Sequence, residues 1–244
     1  MSNETPCTSA IEVFVKRRLI TEVLDTIKSG KEATVYRCRA HPQTGVRFYA
    51  LKVHRPIEQR AFKNDSLYHH GRVILQTRMA RAFASKTRFG HDVQSMTWIR
   101  AEYETLRLLC AQGASVPKPI ACEGRALLME WIGDDEPAPT LARCRLDPAR
   151  AETCLAAVLS QVALWLRHNR VHADLSGFNI LYHEGGPVVI DFPQSVDPRT
   201  NANARELLER DLRNLAQCFE RSGVACDPLA LAHALWQRWE RPER

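Results

Sequence analysis

Asp174, Asn179 and Asp191 are the residues of this chain whose types and spacing best suit chemistry. They stand in His172-Ala173-Asp174-Leu175-Ser176-Gly177-Phe178-Asn179 and in Ile190-Asp191-Phe192, with Ile190 eleven residues after Asn179. Phosphoryl transfer asks a protein for little covalent chemistry and much positioning and charge neutralisation. One carboxylate must stand by the attacking hydroxyl or water, and oxygen ligands must hold a magnesium ion that bridges the phosphates. Asp174 suits the first task, as catalytic base. Asn179 and Asp191 suit the second, because magnesium takes hard oxygen ligands, keeps several waters and needs few protein groups. Asp and Asn also favour turns and caps, so the H-x-D-x-x-x-x-N run alone reads equally as a capped loop. An amphipathic helix before it and a strand ending in an acid after it favour the chemical reading.

Two earlier stretches could complete such a site. Ser29-Gly30-Lys31-Glu32-Ala33-Thr34-Val35-Tyr36 is a turn opening a strand. A glycine there lets backbone amides approach phosphates, and the polar side chains can bond them. A plain β-turn would read the same. Lys52, in Tyr49-Ala50-Leu51-Lys52-Val53, is an inward-facing lysine in an apolar strand, 22 residues after Gly30. A buried cation needs partners, and nucleotide phosphates and a helix glutamate would supply them. For that glutamate the choice falls on Glu104 over Glu102, because Glu104 stands one turn before Leu108 in an E-x-x-x-L repeat.

These residues need elements to position them. Apolar Ile11, Phe14, Val15, Leu19 and Leu24 predict a helical lead-in over 8–28. Ala33–Tyr36 and Phe48–Val53 read as an antiparallel pair joined by the turn-forming 41–45. Residues 58–97 are polar, basic and poorly periodic, which predicts a long, partly disordered insertion. A helix over Trp98–Gln112 ends at Gly113, extended chain follows at 116–120, and Ala126–Ile132 reads as a buried strand broken at Gly133. Beyond it come a helix around 155–166, short strands at 180–182 and 188–190 about a Gly185-Gly186 turn, and helices over 204–220 and 228–240. A strand-rich half followed by a helix-rich half predicts two lobes with a hinge near 130–133. The expected segments are a lead-in (1–28), a first lobe (29–130) and a second lobe (131–244).

Bulk properties narrow the classes. Hydrophobic content of 45% with 25% charged residues is ordinary for a soluble globular chain. No apolar run approaches a membrane span. Ile11–Val15 precedes Lys16-Arg17-Arg18, the reverse of a signal peptide, so a cytoplasmic location and no membrane partner are expected. Eight scattered cysteines without a C-x-x-C pair argue against zinc and against a disulfide framework. The net charge is +6, and between Arg55 and Arg100 nine Lys or Arg face three acids. That excess is either a solvated surface or a contact zone for phosphate backbone or an acidic protein.

The motifs together resemble the RIO family of atypical protein kinases. The resemblance rests on Ser-Gly-Lys-Glu-Ala at 29–33, Leu51-Lys52-Val53, Val116-Pro117-Lys118-Pro119-Ile120, Met129–Gly133, Pro137-Ala138-Pro139, His172–Ser176 and Ile190–Val196. The wording at 29–33 and 172–176 is closest to the RIO-one branch. The resemblance implies an α+β, two-lobed protein-kinase-like fold with a small β-rich first lobe and a trimmed helical second lobe. It implies ATP with Mg2+, or Mn2+ in its place, as cofactors. Ser29, Gly30 and Lys31 would meet phosphates, Lys52 would anchor them, and the backbone of Glu130 and Ile132 would read adenine. It also implies an aspartyl-phosphate intermediate at the Asp191 position. Two departures stand out: Lys28-Ser29 precedes the loop glycine where the family usually has threonine, and Gly177 replaces a common acid. The expected activity is that of a serine/threonine protein kinase or ATPase, its protein substrate left open. A small-molecule phosphotransferase of the aminoglycoside-kinase type is the alternative enzyme. A nucleotide-gated factor binding RNA or a ribosomal particle through 55–100 is the alternative from another class.

Overall fold

The seven residues Phe48-Tyr49-Ala50-Leu51-Lys52-Val53-His54 form a strand whose alternation separates core from chemistry. The computed structural model describes the backbone of residues 5–30, 33–55 and 88–241 and the side chains of 10–30, 33–55 and 98–241. These residues form two compact units.

The first unit opens with helix α1 (Thr5–Lys16), then strands β1 (Ile20–Ser29), β2 (Ala33–Ala40) and β3 (Phe48–His54). Helix α2 (Arg88–Ala111) follows, then β4 (Pro119–Glu123) and β5 (Ala126–Glu130). The strands make one sheet ordered β1-β2-β3-β5-β4, every neighbour antiparallel. Successive side chains of a strand point to opposite faces. Tyr49 and Leu51 therefore join Cys38, Ala40, Ala121, Ala126 and Leu128 in a core closed by Ala10 and Phe14 of α1. Phe14 is wholly buried, worth about 1.5–3 kcal/mol over leaving it in water. Lys52 and His54 share the other face.

The expected lead-in over 8–28 is corrected here. The helix stops at Lys16, and 20–29 is an edge strand of the sheet, so no boundary falls at 28. Helix α2 begins at Arg88, ten residues before the expected start, and takes the end of the expected insertion; residues 58–87 lie outside the described residues. The first unit runs to Trp131, while 108–116 belong with the second.

In the second unit, helices α3 (Pro148–Arg167) and α5 (Pro228–Glu240) start the same way. An Asp-Pro pair puts a carboxylate on the first free amides: Asp147 accepts from Arg150 N, and Asp227 from Leu229 N and Ala230 N. Strands β6 (Ile180–His183) and β7 (Gly186–Val189) form a hairpin, and helix α4 (Ala204–Glu220) packs against α5. The hairpin turn is Glu184-Gly185, both at positive φ (49° and 80°), one residue earlier than the glycine pair suggests. Two left-handed residues in a row suit the twist of a two-residue hairpin.

Candidate active site

The first unit carries the lysine and the phosphate-loop residues. Lys52 Nζ stands 2.6 Å from Glu102 Oε1, with side chains 8% and 1% exposed. Glu104 is not the partner. It is half exposed and pairs with Arg107 one turn on, at 2.8 Å. The E-x-x-x-L repeat occurs twice in α2, as Glu102–Leu106 and Glu104–Leu108, and burial decides between them. Ile99, Glu102, Leu106 and Leu109 form a buried stripe at helical spacing, and Glu104 points about 200° away from it around the helix. Removing one member of a buried ion pair leaves the other uncompensated, at a cost of about 3–5 kcal/mol.

At the β1–β2 turn, Gly30 N–H donates to Ala33 O at 2.9 Å. Among the described residues a Cβ at Gly30 would meet Ala33 O alone, at an ordinary 3.5 Å. Ser29 Oγ lies 3.4 Å from the Thr34 hydroxyl and accepts from Arg55 at 2.8 Å. Lys31 lies outside the described residues. Glu130 N–H is spent on Lys118 O at 2.8 Å, and its carboxylate accepts Lys118 N–H at 3.0 Å. In the second unit Ile132 O accepts Ala138 N–H, whereas the Ile132 amide donates to no group among the described residues.

The second unit assembles Asp174, Asn179 and Asp191. Asn179 Nδ2 donates to Asp174 O at 2.9 Å and to Asp174 Oδ2 at 3.3 Å. Asn179 O accepts Ile190 N–H at 2.9 Å, which ties Asp191 to the same loop. The amide nitrogen being spent, Asn179 Oδ1 is the atom left to face a ligand. Asp174 is exposed, Asp191 half-buried and Asn179 buried. Both Ala173 and Asp191 adopt left-handed backbone (φ 68° and 73°), a conformation costing of order 1 kcal/mol outside glycine. Beneath them the rings of Trp165, His172 and Phe192 pack edge-to-face and tilted, the His172 and Phe192 rings 4.5 Å apart. His172 Nε2 is 3.1 Å from Ile190 O.

Asp211 holds the loop from below and was missed in the sequence. Its two oxygens accept Ala173 N–H and Leu175 N–H, each at 2.8 Å. Arg210 donates to Ala173 O and Asn214 to Leu175 O. The two residues flanking Asp174 are thus pinned to α4. A signal existed: Asp211 interrupts the apolar face Leu207, Leu208, Leu212, Leu215, where an acid needs hydrogen-bond donors.

Burial pushes the Asp211 carboxyl from its ordinary 3.8 up to about 7, against the pull of the Leu175 and Ala173 amides and Arg210. A raised acid pKa means the folded state holds the proton longer than the unfolded chain. Its contribution is complete below pH 3.8 and is lost as pH rises to about 7. Urea denaturation across this window should show the wild type losing stability relative to Asp211→Asn, by at most about 1.4 kcal/mol per pH unit. Parallel curves for the two proteins would contradict the assignment.

Gly177 is a departure the fold explains. Its carbonyl accepts Ala142 N–H at 2.9 Å. A Cβ there would come within 2.4 Å of Cys218 Sγ and 3.2 Å of Ala142 N. The position is filled by its neighbours. No described cysteine forms a disulfide.

Oxygen chemistry fits magnesium here. Among the described residues no three His, Cys, Asp or Glu stand together to hold a metal unaided. Asn179 Oδ1 and the Asp191 carboxylate would supply two hard oxygens, leaving the remainder to phosphate and water.

The α+β chain has the protein-kinase-like fold of the RIO type. The Rio2 kinase of Chaetomium thermophilum, solved as an ADP/Mg2+-phosphoaspartate complex, superposes with a TM-score of 0.72 at 20% identity, covering 97% of this chain and 67% of that one. The RIO domain model matches residues 34–231, and the chain belongs to the RIO family. It is 33% identical to the RIO-type serine/threonine-protein kinase Rio1 of Haloferax volcanii, over 82% of this chain and 64% of that protein. It is also 33% identical to the human serine/threonine-protein kinase RIO1, over 87% of this chain and 36% of that protein. The chain thus matches from about a third to just under two thirds of the length of these relatives.

Proposed function

We propose that this protein is an ATP- and magnesium-dependent phosphotransferase, a RIO-type protein kinase or ATPase. The observation that carries the proposal is the Asp174–Asn179 pair, held by Asp211 and joined to Asp191 through Ile190. Magnesium, when bound, neutralises charge on the transferring phosphates; Asn179 and Asp191 would hold it. Lys52, kept in place by Glu102, anchors the α- and β-phosphates, with Ser29, Gly30 and Lys31 at the phosphate loop. The backbone of Glu130 and the uncommitted Ile132 amide meet the adenine edge. Asp174 accepts the proton of the attacking hydroxyl or water.

Only twelve residues separate Asp191 from α4, and they are committed elsewhere. Val196 bridges to Val171, and 197–201 close a turn on Asp197. Among the described residues, 192–203 offer no long activation segment on which to lay a peptide. We therefore expect ATP hydrolysis or self-phosphorylation to outrun phosphorylation of generic peptides. In the self-phosphorylation route an Asp191 oxygen attacks the γ-phosphorus, the bond to the β-phosphate oxygen breaks, and ADP leaves; water then cleaves the acyl phosphate. Ser85 and Thr87 are the competing acceptors. With γ-labelled ATP, hydroxylamine should strip the label, because it cleaves acyl phosphates and leaves phosphoserine. Absence of magnesium-dependent ATP binding and turnover would overturn the reading; fast peptide phosphorylation would overturn the ATPase emphasis.

Glu102→Gln should lower kcat/KM for ATP by about 10- to 100-fold, the scale of a hydrogen bond to a charged group. Glu104→Gln should leave kcat/KM unchanged, since an exposed pair contributes about 0–1 kcal/mol. Equal losses in the two variants would reverse the assignment.

We also propose cytoplasmic location, and an RNA or ribosomal-particle contact through 55–100, supported by the charge excess there. No described helix is long and apolar enough to cross a membrane. Neutralising Arg78, Arg81, Lys86 and Arg88 together should weaken RNA binding and flatten its salt dependence.

A further inference from the structure

His54 is as deeply buried as the ion pair it adjoins. Its side chain is 1% exposed, and its ring Nε2 lies 3.2 Å from Glu102 Oε2. Lys52 Nζ occupies the other oxygen, Oε1, at 2.6 Å. The backbone of His54 is itself fixed, its N–H donating to Arg125 O at 2.9 Å beside the start of β5. Strand geometry creates this arrangement. Residues two apart share a face and stand about 6.8 Å apart, so Lys52 and His54 flank one carboxylate from the same strand.

We propose that His54 is a positioning residue for the nucleotide, acting through Glu102 on Lys52; the inference rests on the nucleotide reading of Lys52 above. The last torsion of a glutamate is broad and nearly two-fold, so contacts on both oxygens fix the carboxylate more tightly than a contact on one. His54 supplies a contact on the second oxygen. It also satisfies an oxygen that burial has cut off from water, where an unmet acceptor would destabilise the pair. The carboxylate oxygen can only accept, so Nε2 is the donor in this contact. The Lys52 ammonium is then presented in one place rather than several, and preorganisation of this kind supports binding and rate together.

The test uses His54→Leu, which keeps bulk without a donor, and His54→Gln, whose amide nitrogen reaches the Nε2 position. His54→Asn, with a donor too short to reach Glu102, replaces the leucine variant if that fails to fold. Each is made in the wild type and on Glu102→Gln. Two quantities are measured: kcat/KM for ATP, and the rate at which acetic anhydride acylates Lys52, read by peptide mass spectrometry without nucleotide. Loss of the donor should lower kcat/KM about tenfold and speed Lys52 acylation several-fold, with His54→Gln restoring both. On Glu102→Gln, removing His54 should change neither by more than about twofold, since independent sites add and coupled ones do not. A folded donor-less variant with wild-type acylation, or one with its full effect on Glu102→Gln, would overturn the proposal. If the wild type turns over no ATP, the nucleotide reading fails, while the acylation rates still decide whether His54 acts on Lys52 through Glu102.

Discussion

Asp191→Ala yields a folded protein without measurable magnesium-dependent ATP turnover. Asp191 is the one carboxylate assigned to the metal, and Asn179 contributes only a neutral oxygen. Without it the metal keeps a single protein oxygen, that of the Asn179 amide. The same substitution removes the proposed phosphoryl acceptor, so both hydrolysis through an acyl phosphate and retention of hydroxylamine-labile label disappear. Folding should survive, because the side chain is half-buried and the loop is held by Ile190 on Asn179 and by Phe192 in the aromatic cluster. Relief of the left-handed backbone is not gained, since alanine pays at least as much there as aspartate. Calorimetry for folding, with phosphate release at varied magnesium, makes the measurement. Unchanged turnover in a folded Asp191→Ala protein would end the phosphotransferase reading.

Asp174→Asn keeps ATP binding and lowers kcat by roughly 10²–10⁴, the scale of a positioned general base. That loss corresponds to about 2.7–5.4 kcal/mol of barrier. The substitution is well matched to the question. Asp174 is exposed, its neighbours Ala173 and Leu175 are fixed by Asp211, and asparagine still offers Asn179 an oxygen. Geometry persists while basicity goes. ATP affinity by calorimetry and turnover under saturating ATP separate the two effects. Affinity collapsing along with the rate would make Asp174 a structural residue or a metal ligand.

Much of this site was legible because its residues are local in sequence. The H-x-D-x-x-x-x-N loop and the strand ending in Asp191 are short, and their helix and strand neighbours carry strong periodicity. Helices α4 and α5 fall on the expected 204–220 and 228–240 because an amphipathic face defines the first and an Asp-Pro start the second. What stayed hidden depends on which face of an element is buried. Glu102 and Glu104 sit in identical local repeats, and only packing of the Ile99–Leu109 stripe separates them. Strand β1 failed for another reason. Its pairing with β2 shifts register between Ile20 and Glu22, Val23 and Asp25, and Thr26 and Lys28. Such irregularities break the period of two, leaving Ile20, Val23, Leu24 and Ile27 at the spacing of a helix face. Asp211 required seeing that amides 38 and 36 residues upstream converge on it.

Cys218 and Gly177 are far apart in the chain yet impose an order on mutational change. A side chain at 177 would meet Cys218 Sγ at 2.4 Å and Ala142 N at 3.2 Å, so an acid there asks both the sulfur and the backbone at 142 to give way. Cys218, conversely, can shrink to alanine with the glycine in place, leaving at worst a small void. The route between this loop and the acid-bearing loop common in the family is therefore easier with the helix changed first, because losing the sulfur removes the tighter of the two contacts. In the reverse order the new side chain meets the sulfur and Ala142 together.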